Sequence, residues 1–175
     1  MIAKQAGELM IPLDRYPHIP HWFTLRQAIA ELRASEIEVQ GRKSLPRAVL
    51  VFNKTYELLG IVRRRDILRG LEPSFLSGEA MAYRRQLFDV TVDPNLSDLS
   101  SERMVKSFRE QAERPVSDVM VPITVTVGYD DNLMKIIYEM VKNDLSLVPV
   151  LKDGRVVGVV RSVDVLQEIS DIVLE

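Results

Sequence analysis

The chain has 175 residues, 46% of them hydrophobic, with 23 basic against 25 acidic side chains and a formal charge of −2. That is apolar content enough for one ordinary domain or two small ones, and the near-balance of charge gives no global attraction to nucleic acid or anionic membrane. Without cysteine, disulfides, thiolate chemistry and thiolate metal sites are excluded, and without an apolar run of about 18 residues the sequence reads as soluble and cytoplasmic.

Taken in chain order, Leu9-Met10-Ile11-Pro12 is a short apolar phrase that returns as Val119-Met120-Val121-Pro122. Residues 16–23 read as an irregular loop. His18 and His21 lack the cysteine or paired carboxylates that would complete a metal set. Trp22 and Phe23 read as a hydrophobic staple with a core-packing role. Thr24 with Gln27 is a capping box, and Leu25, Ala28, Ile29 and Leu32 continue a helical stripe. Residues 35–46 are expected to extend that helix into a loop, before strands at 48–52 and 58–62.

The second of those strands runs into Gly60-Ile61-Val62-Arg63-Arg64-Arg65-Asp66-Ile67-Leu68, which is repeated as Gly158-Val159-Val160-Arg161-Ser162-Val163-Asp164-Val165-Leu166. An internal repeat governs the fold reading. The two glycines fit no phosphate-loop spacing and mark a close backbone approach or a bulge. Asp66 and Asp164 each precede a helical run, where the plain role is an N-cap and the alternative is a ligand contact. The Arg63-Arg64-Arg65 cluster with Arg69 is read as a solvated face, with a bound phosphate as the alternative. Nucleic acid would want aromatic interleaving or a wider basic stripe.

Between the copies, residues 73–115 are too apolar for a free linker. Phe75, Leu76, Met81, Leu87 and Phe88 suggest one helix. Met104, Val105, Phe108 and Ala112 suggest a second, capped near Ser100 or Ser101.

The second copy begins with a strand at 124–127. Asp130-Asp131-Asn132 then offers caps for a helix striped by Leu133, Ile136, Ile137, Met140 and Val141. A strand at 147–150, an Asp153-Gly154 hairpin turn, a strand at 156–160 and a helix at 164–172 complete it. Each copy therefore reads β-α-β-β-α. The organisation is α+β: a first repeat at 1–72, a helical insert at 73–115 and a second repeat at 116–175. No nucleophile elbow, Walker loop, His-Glu-x-x-His or dinucleotide glycine fingerprint is present, so the chain is not read as an enzyme.

Ser117-Asp118-Val119-Met120-Val121-Pro122, Leu147-Val148-Pro149-Val150 and the glycine-to-aspartate phrase together resemble a tandem pair of cystathionine-β-synthase (CBS) domains, a Bateman module. The resemblance covers roughly 5–71 and 115–173. It implies two CBS-type repeats packed about a pseudo-two-fold axis, and adenosine-containing ligands (AMP, ADP, ATP, and less often S-adenosylmethionine) in the clefts between them. It further implies that Asp66 and Asp164 accept hydrogen bonds from ribose, while Ile11, Pro12, Val121 and Pro122 line adenine pockets. Where the family usually carries Ser or Thr, this chain carries Arg63 and Arg161. Either arginine can grip a phosphate bidentately or fill the cleft by pairing with its aspartate. The implied function is a stand-alone, homodimeric sensor that needs no cofactor and signals to a protein effector. The alternative is a ligand-free scaffold whose dimer surface and middle helices dock another protein.

Overall fold

The computed structural model describes residues 4–72 and 101–174. In the first half, helix α1 (Ala6–Leu9) leads to β1 (Ile11–Pro12) and β2 (His18–Pro20). Helix α2 (Leu25–Ala34), a hairpin of β3 (Ile37–Val39) and β4 (Arg42–Ser44), strands β5 (Ala48–Phe52) and β6 (Leu58–Arg63), and helix α3 (Arg64–Leu71) follow. Helix α4 (Ser101–Gln111) leads into the second half. There β7 (Val121–Pro122), β8 (Val127–Gly128), α5 (Leu133–Lys142), β9 (Leu147–Lys152), β10 (Arg155–Arg161) and α6 (Ser162–Val173) repeat the plan.

Two four-stranded sheets result, in the orders β1-β10-β9-β8 and β2-β5-β6-β7. Each borrows its outermost short strand from the other half of the chain. Ile11 and Pro12 pair with Val159 and Gly158, while Val121 and Pro122 pair with Ile61 and Gly60. The residues leading into these strands cross over as well. Ala6 and Gly7 donate to the Asp131 and Tyr129 carbonyls, and Val116 donates to the Phe23 carbonyl. Ala6 and Leu9 thus pack in one core with Val127, Ile136, Val148 and Val160, whereas Val116 and Val119 pack with Leu25, Val49, Val51 and Val62. A third core lies between the sheets, built from Ile11, Tyr16, Ile37, Leu50, Phe52, Ile61, Leu147 and Val159. Strand β5 is buried along its whole length, which suits its unbroken Ala-Val-Leu-Val-Phe run.

The glycines of the repeated phrase permit this exchange. A Cβ on Gly158 would fall 2.5 Å from the Ile11 carbonyl oxygen, and one on Gly60 would fall 2.6 Å from the Val121 oxygen. Both are contacts with backbone that cannot swing aside, as expected for glycines marking a close approach.

Local signals behaved as their chemistry requires. The Thr24 hydroxyl accepts from the Gln27 N–H at 3.3 Å and the Gln27 side chain accepts from the Thr24 N–H at 2.9 Å, closing the capping box. Asn132 caps α5 through the Lys135 N–H. The Asp153-Gly154 turn has φ of 51° and 74°, the mirror-image geometry that matches strand twist.

Several expectations change. Residues 35–46 do not extend the helix: they form the β3–β4 hairpin, turned by Gln40 and Gly41 at φ of 51° and 74°. Residues 16–23 are not wholly irregular, because His18–Pro20 pairs in parallel with Leu50–Phe52. In the second copy the strand is Val127–Gly128, since only these residues reach β9. Trp22 is half exposed with its ring against His21, while Phe23 packs on the core, so only Phe23 fills the staple role. Met104, Val105 and Phe108 remain partly exposed on α4, and only Ala112 beyond it is buried. The residues 75–88 expected to form the earlier helix, and Ser100, lie outside the described residues.

Candidate functional site

The strand exchange decides which side chains meet. Because β1 lies on β10, Ile11 and Pro12 pair with Val159 and Gly158, and it is Leu9 and Met10 just before them that share a cleft with Arg161 and Asp164. Because β7 lies on β6, Val121 and Pro122 pair with Ile61 and Gly60, on the strand that runs on to Arg63. Each crossing thus joins the Met-x-Pro strand of one copy to the glycine-to-aspartate phrase of the other.

Neither aspartate is an N-cap. Helices α3 and α6 start at Arg64 and Ser162, so Arg63 and Arg161 hold the cap positions and both aspartates stand at the third helical residue. From there Asp66 reaches back to accept from the Arg63 N–H at 2.9 Å, and from Arg63 Nε and Nη2 at 2.8 and 3.0 Å. Arg69 adds a contact at 3.2 Å. Asp66 is fully buried, and burial alone would raise its pKa. The Arg63 side chain, the Arg63 N–H and the charges of Arg63 and Arg69 outweigh that and hold it below the ordinary carboxylate value. The same contacts, led by the hydrogen bonds to Asp66, raise Arg63 above its usual value, and Asp144 acts on it in the same direction.

The second fork repeats the first. Arg161 Nε and Nη2 each donate to an Asp164 oxygen at 2.7 Å, with side chains only 12% and 10% exposed. Here the guanidinium has a further partner: Nη1 donates to the Ser44 hydroxyl at 2.9 Å, so the β3–β4 hairpin of the first half closes over the fork. Of the two roles open to the arginines, pairing with the neighbouring aspartate is the one seen in both copies. Each Asp164 oxygen accepts one bond from Arg161 and keeps a second lone pair for a ribose hydroxyl, whereas each Asp66 oxygen already accepts two.

Beside this fork lies a cleft of about 300 Å³, walled by Leu9 and Met10, by the hairpin from Val39 to Ser44, and by Arg161, Asp164 and Gln167. Beneath it Tyr16 is buried. Loss of water pushes its hydroxyl up to about 12; Arg161 opposes the shift, Asp164 reinforces it, and a backbone hydrogen bond at Ala48 opposes it. Sequence reasoning missed Tyr16, Ser44 and Arg42. Only the hairpin carried a signal, a Gln40-Gly41 turn between the alternating Ile37/Val39 and Arg42/Ser44 pairs.

The described residues include no group of three His, Asp or Glu side chains able to hold a metal ion, and no helix long and apolar enough to cross a membrane.

The CBS domain family matches residues 116–171. Among solved structures, a CBS domain-containing protein of unknown function from Bacillus anthracis superposes with a TM-score of 0.65 at 19% identity, covering 97% of this chain and 95% of the other. The CBS-pair protein CBSX2 from Arabidopsis thaliana gives 0.64 at 16% identity with 99% of both chains covered. CBSX2 in complex with AMP gives 0.60 at 16% identity, covering 96% and 97%. No curated protein matches the sequence. Residues 116–171 are thus a CBS domain, and the chain as a whole has the fold of a tandem CBS pair, the Bateman module.

Proposed function

We propose that this CBS pair is a regulatory module, not an enzyme, that binds an adenine nucleotide between its halves and passes its occupancy to a protein partner. One observation carries the reading: the cleft at Arg161 and Asp164 is walled by residues from both halves, so a ligand there touches both at once. Its volume is at the lower end of small-molecule sites. That a CBS pair of the same fold is known with AMP supports the ligand class. The Ser44 hydroxyl in the cleft faces a guanidinium, not a base, which suits binding better than nucleophilic chemistry.

In this reading Asp164 accepts from ribose, Arg161 meets phosphate, and Ile11 and Pro12 flank the base. In the other half-to-half seam Arg63, Val121 and Pro122 take the phosphate and base roles, while Asp66, fully buried, anchors Arg63. A ligand that prefers one packing of the halves shifts the population toward it, and that shift is the signal. Titration calorimetry with AMP, ADP, ATP and S-adenosylmethionine tests the proposal. Saturable binding is expected, and silence from all four at millimolar concentration ends it.

A second copy of the chain is the expected partner for an apolar stripe on the second half. Met134, Tyr138 and Val141 on α5, and Val163, Leu166 and Val173 on α6, recur at helical spacing and are all exposed. A native mass spectrum showing a dimer supports this, and a monomer at micromolar concentration contradicts it. The scaffold reading keeps one supporting observation, the closure of both arginines onto their aspartates, and it stands if no nucleotide binds.

A further inference from the structure

The two Arg–Asp forks share one pairing but differ in what the rest of the chain brings to them. In the second half α5 ends at Lys142 and a short turn through Asp144 leads directly to β9. The matching place in the first half is occupied by the β3–β4 hairpin, which brings Ser44 and Arg42 to the Arg161 fork. Residues two apart on a strand share a face. Arg42 therefore lies on the Ser44 side, and its Nη1 donates to the Gln167 amide oxygen. Gln167 stands three residues beyond Asp164 on α6, where side chains one turn apart have Cβ atoms about 5–6 Å apart.

The acidic groups of this cleft already have partners. Asp164 is held by Arg161, Glu168 by Lys4 at 2.6 Å, and Glu8 by the Gln5 N–H at 2.8 Å. The partner of exposed Arg42, by contrast, is a neutral amide. A charge-assisted bond to a phosphate oxygen is roughly twice as strong as one to a neutral acceptor, so an anion arriving one helical turn past the fork displaces Gln167.

We infer that Arg42 is a specificity-determining residue. It takes the second phosphate of a nucleotide whose ribose and first phosphate lie at Asp164 and Arg161, so that the hairpin-covered cleft prefers nucleoside di- and triphosphates to monophosphates. The inference rests on the nucleotide-binding reading above. It adds an asymmetry: both oxygens of buried Asp66 already accept two bonds at the Arg63 fork, and each chain holds one polyphosphate.

Calorimetry on the full chain with AMP and ADP, for wild type and Arg42→Gln, tests it. Arg42 is exposed, so the substitution leaves folding intact. Wild type is expected to bind one ADP per chain about tenfold more tightly than AMP, the worth of one added bond to a charged group. Arg42→Gln is expected to erase that advantage while leaving AMP unchanged. Equal affinity of wild type for AMP and ADP, or parallel loss of both in the variant, overturns the role of Arg42 while nucleotide binding itself stands. Absence of binding by either nucleotide overturns both readings together.

Discussion

The Ile11 carbonyl oxygen occupies the space where Gly158 would carry a Cβ, the two lying 2.5 Å apart. This contact joins the opening strand of one half to the sheet of the other, and Val121 and Gly60 repeat it at 2.6 Å.

Gly158→Ala forces two backbones apart and is expected to destabilise the protein by about 2–3 kcal/mol, as overpacking of a tight interior does. Gly154→Ala has open space around it but φ of +74°, and is expected to cost about 1 kcal/mol through backbone strain alone. Urea denaturation of the two variants checks the order. A Gly158→Ala protein as stable as wild type contradicts the close approach.

Arg161→Ala leaves Asp164 nearly buried and without its fork, which is expected to cost about 3 kcal/mol. Replacing both residues with leucine removes the stranded charge and is expected to restore most of the stability, since a buried pair and a well-packed apolar pair are often equivalent. In binding assays Arg161→Ala is expected to weaken ADP more than adenosine. Equal losses show that Arg161 does not touch phosphate.

Tyr16 carries a hydroxyl raised to about 12 by burial. A raised pKa favours the neutral form in the folded state, so its contribution is complete below the unfolded value of about 10 and is lost as pH rises through about 12. Stability is therefore expected to fall by about 2–3 kcal/mol over that window, less so in Tyr16→Phe. Alkaline denaturation followed by circular dichroism compares the two. Identical profiles contradict the assignment.

Asp66 has the opposite sign. Its carboxyl is held below the ordinary value, so its stabilisation is present above about pH 4 and is lost as pH falls through the folded value. Acid unfolding of Asp66→Asn is expected to be flatter than wild type below about pH 4. An unchanged acid limb contradicts this.

Much of the fold was legible because its signals are local. The Thr24/Gln27 capping box, the Asp153-Gly154 turn and the unbroken apolar run at Ala48–Phe52 each encode their structure within a few residues. Repetition of the glycine-to-aspartate phrase then tied the halves to one plan. The strand exchange was not legible, because the two-residue strands Ile11–Pro12 and Val121–Pro122 carry no periodicity and their partners lie 60 or more residues away. The helix starts were misplaced for a physical reason. Aspartate is a strong N-cap by habit, but here arginine takes the cap and the carboxylate folds back from the third position onto it. His18–Pro20 escaped because proline obscures a strand signal, yet an edge position tolerates it.

The most direct test of a ligand seat shared by both halves is the backbone amide spectrum of the labelled protein during titration with AMP. Perturbations are expected together at Gly158, Arg161 and Asp164 from the second half and at Met10 and Ser44 from the first. Shifts confined to one half, or a spectrum unmoved at millimolar AMP, would contradict it.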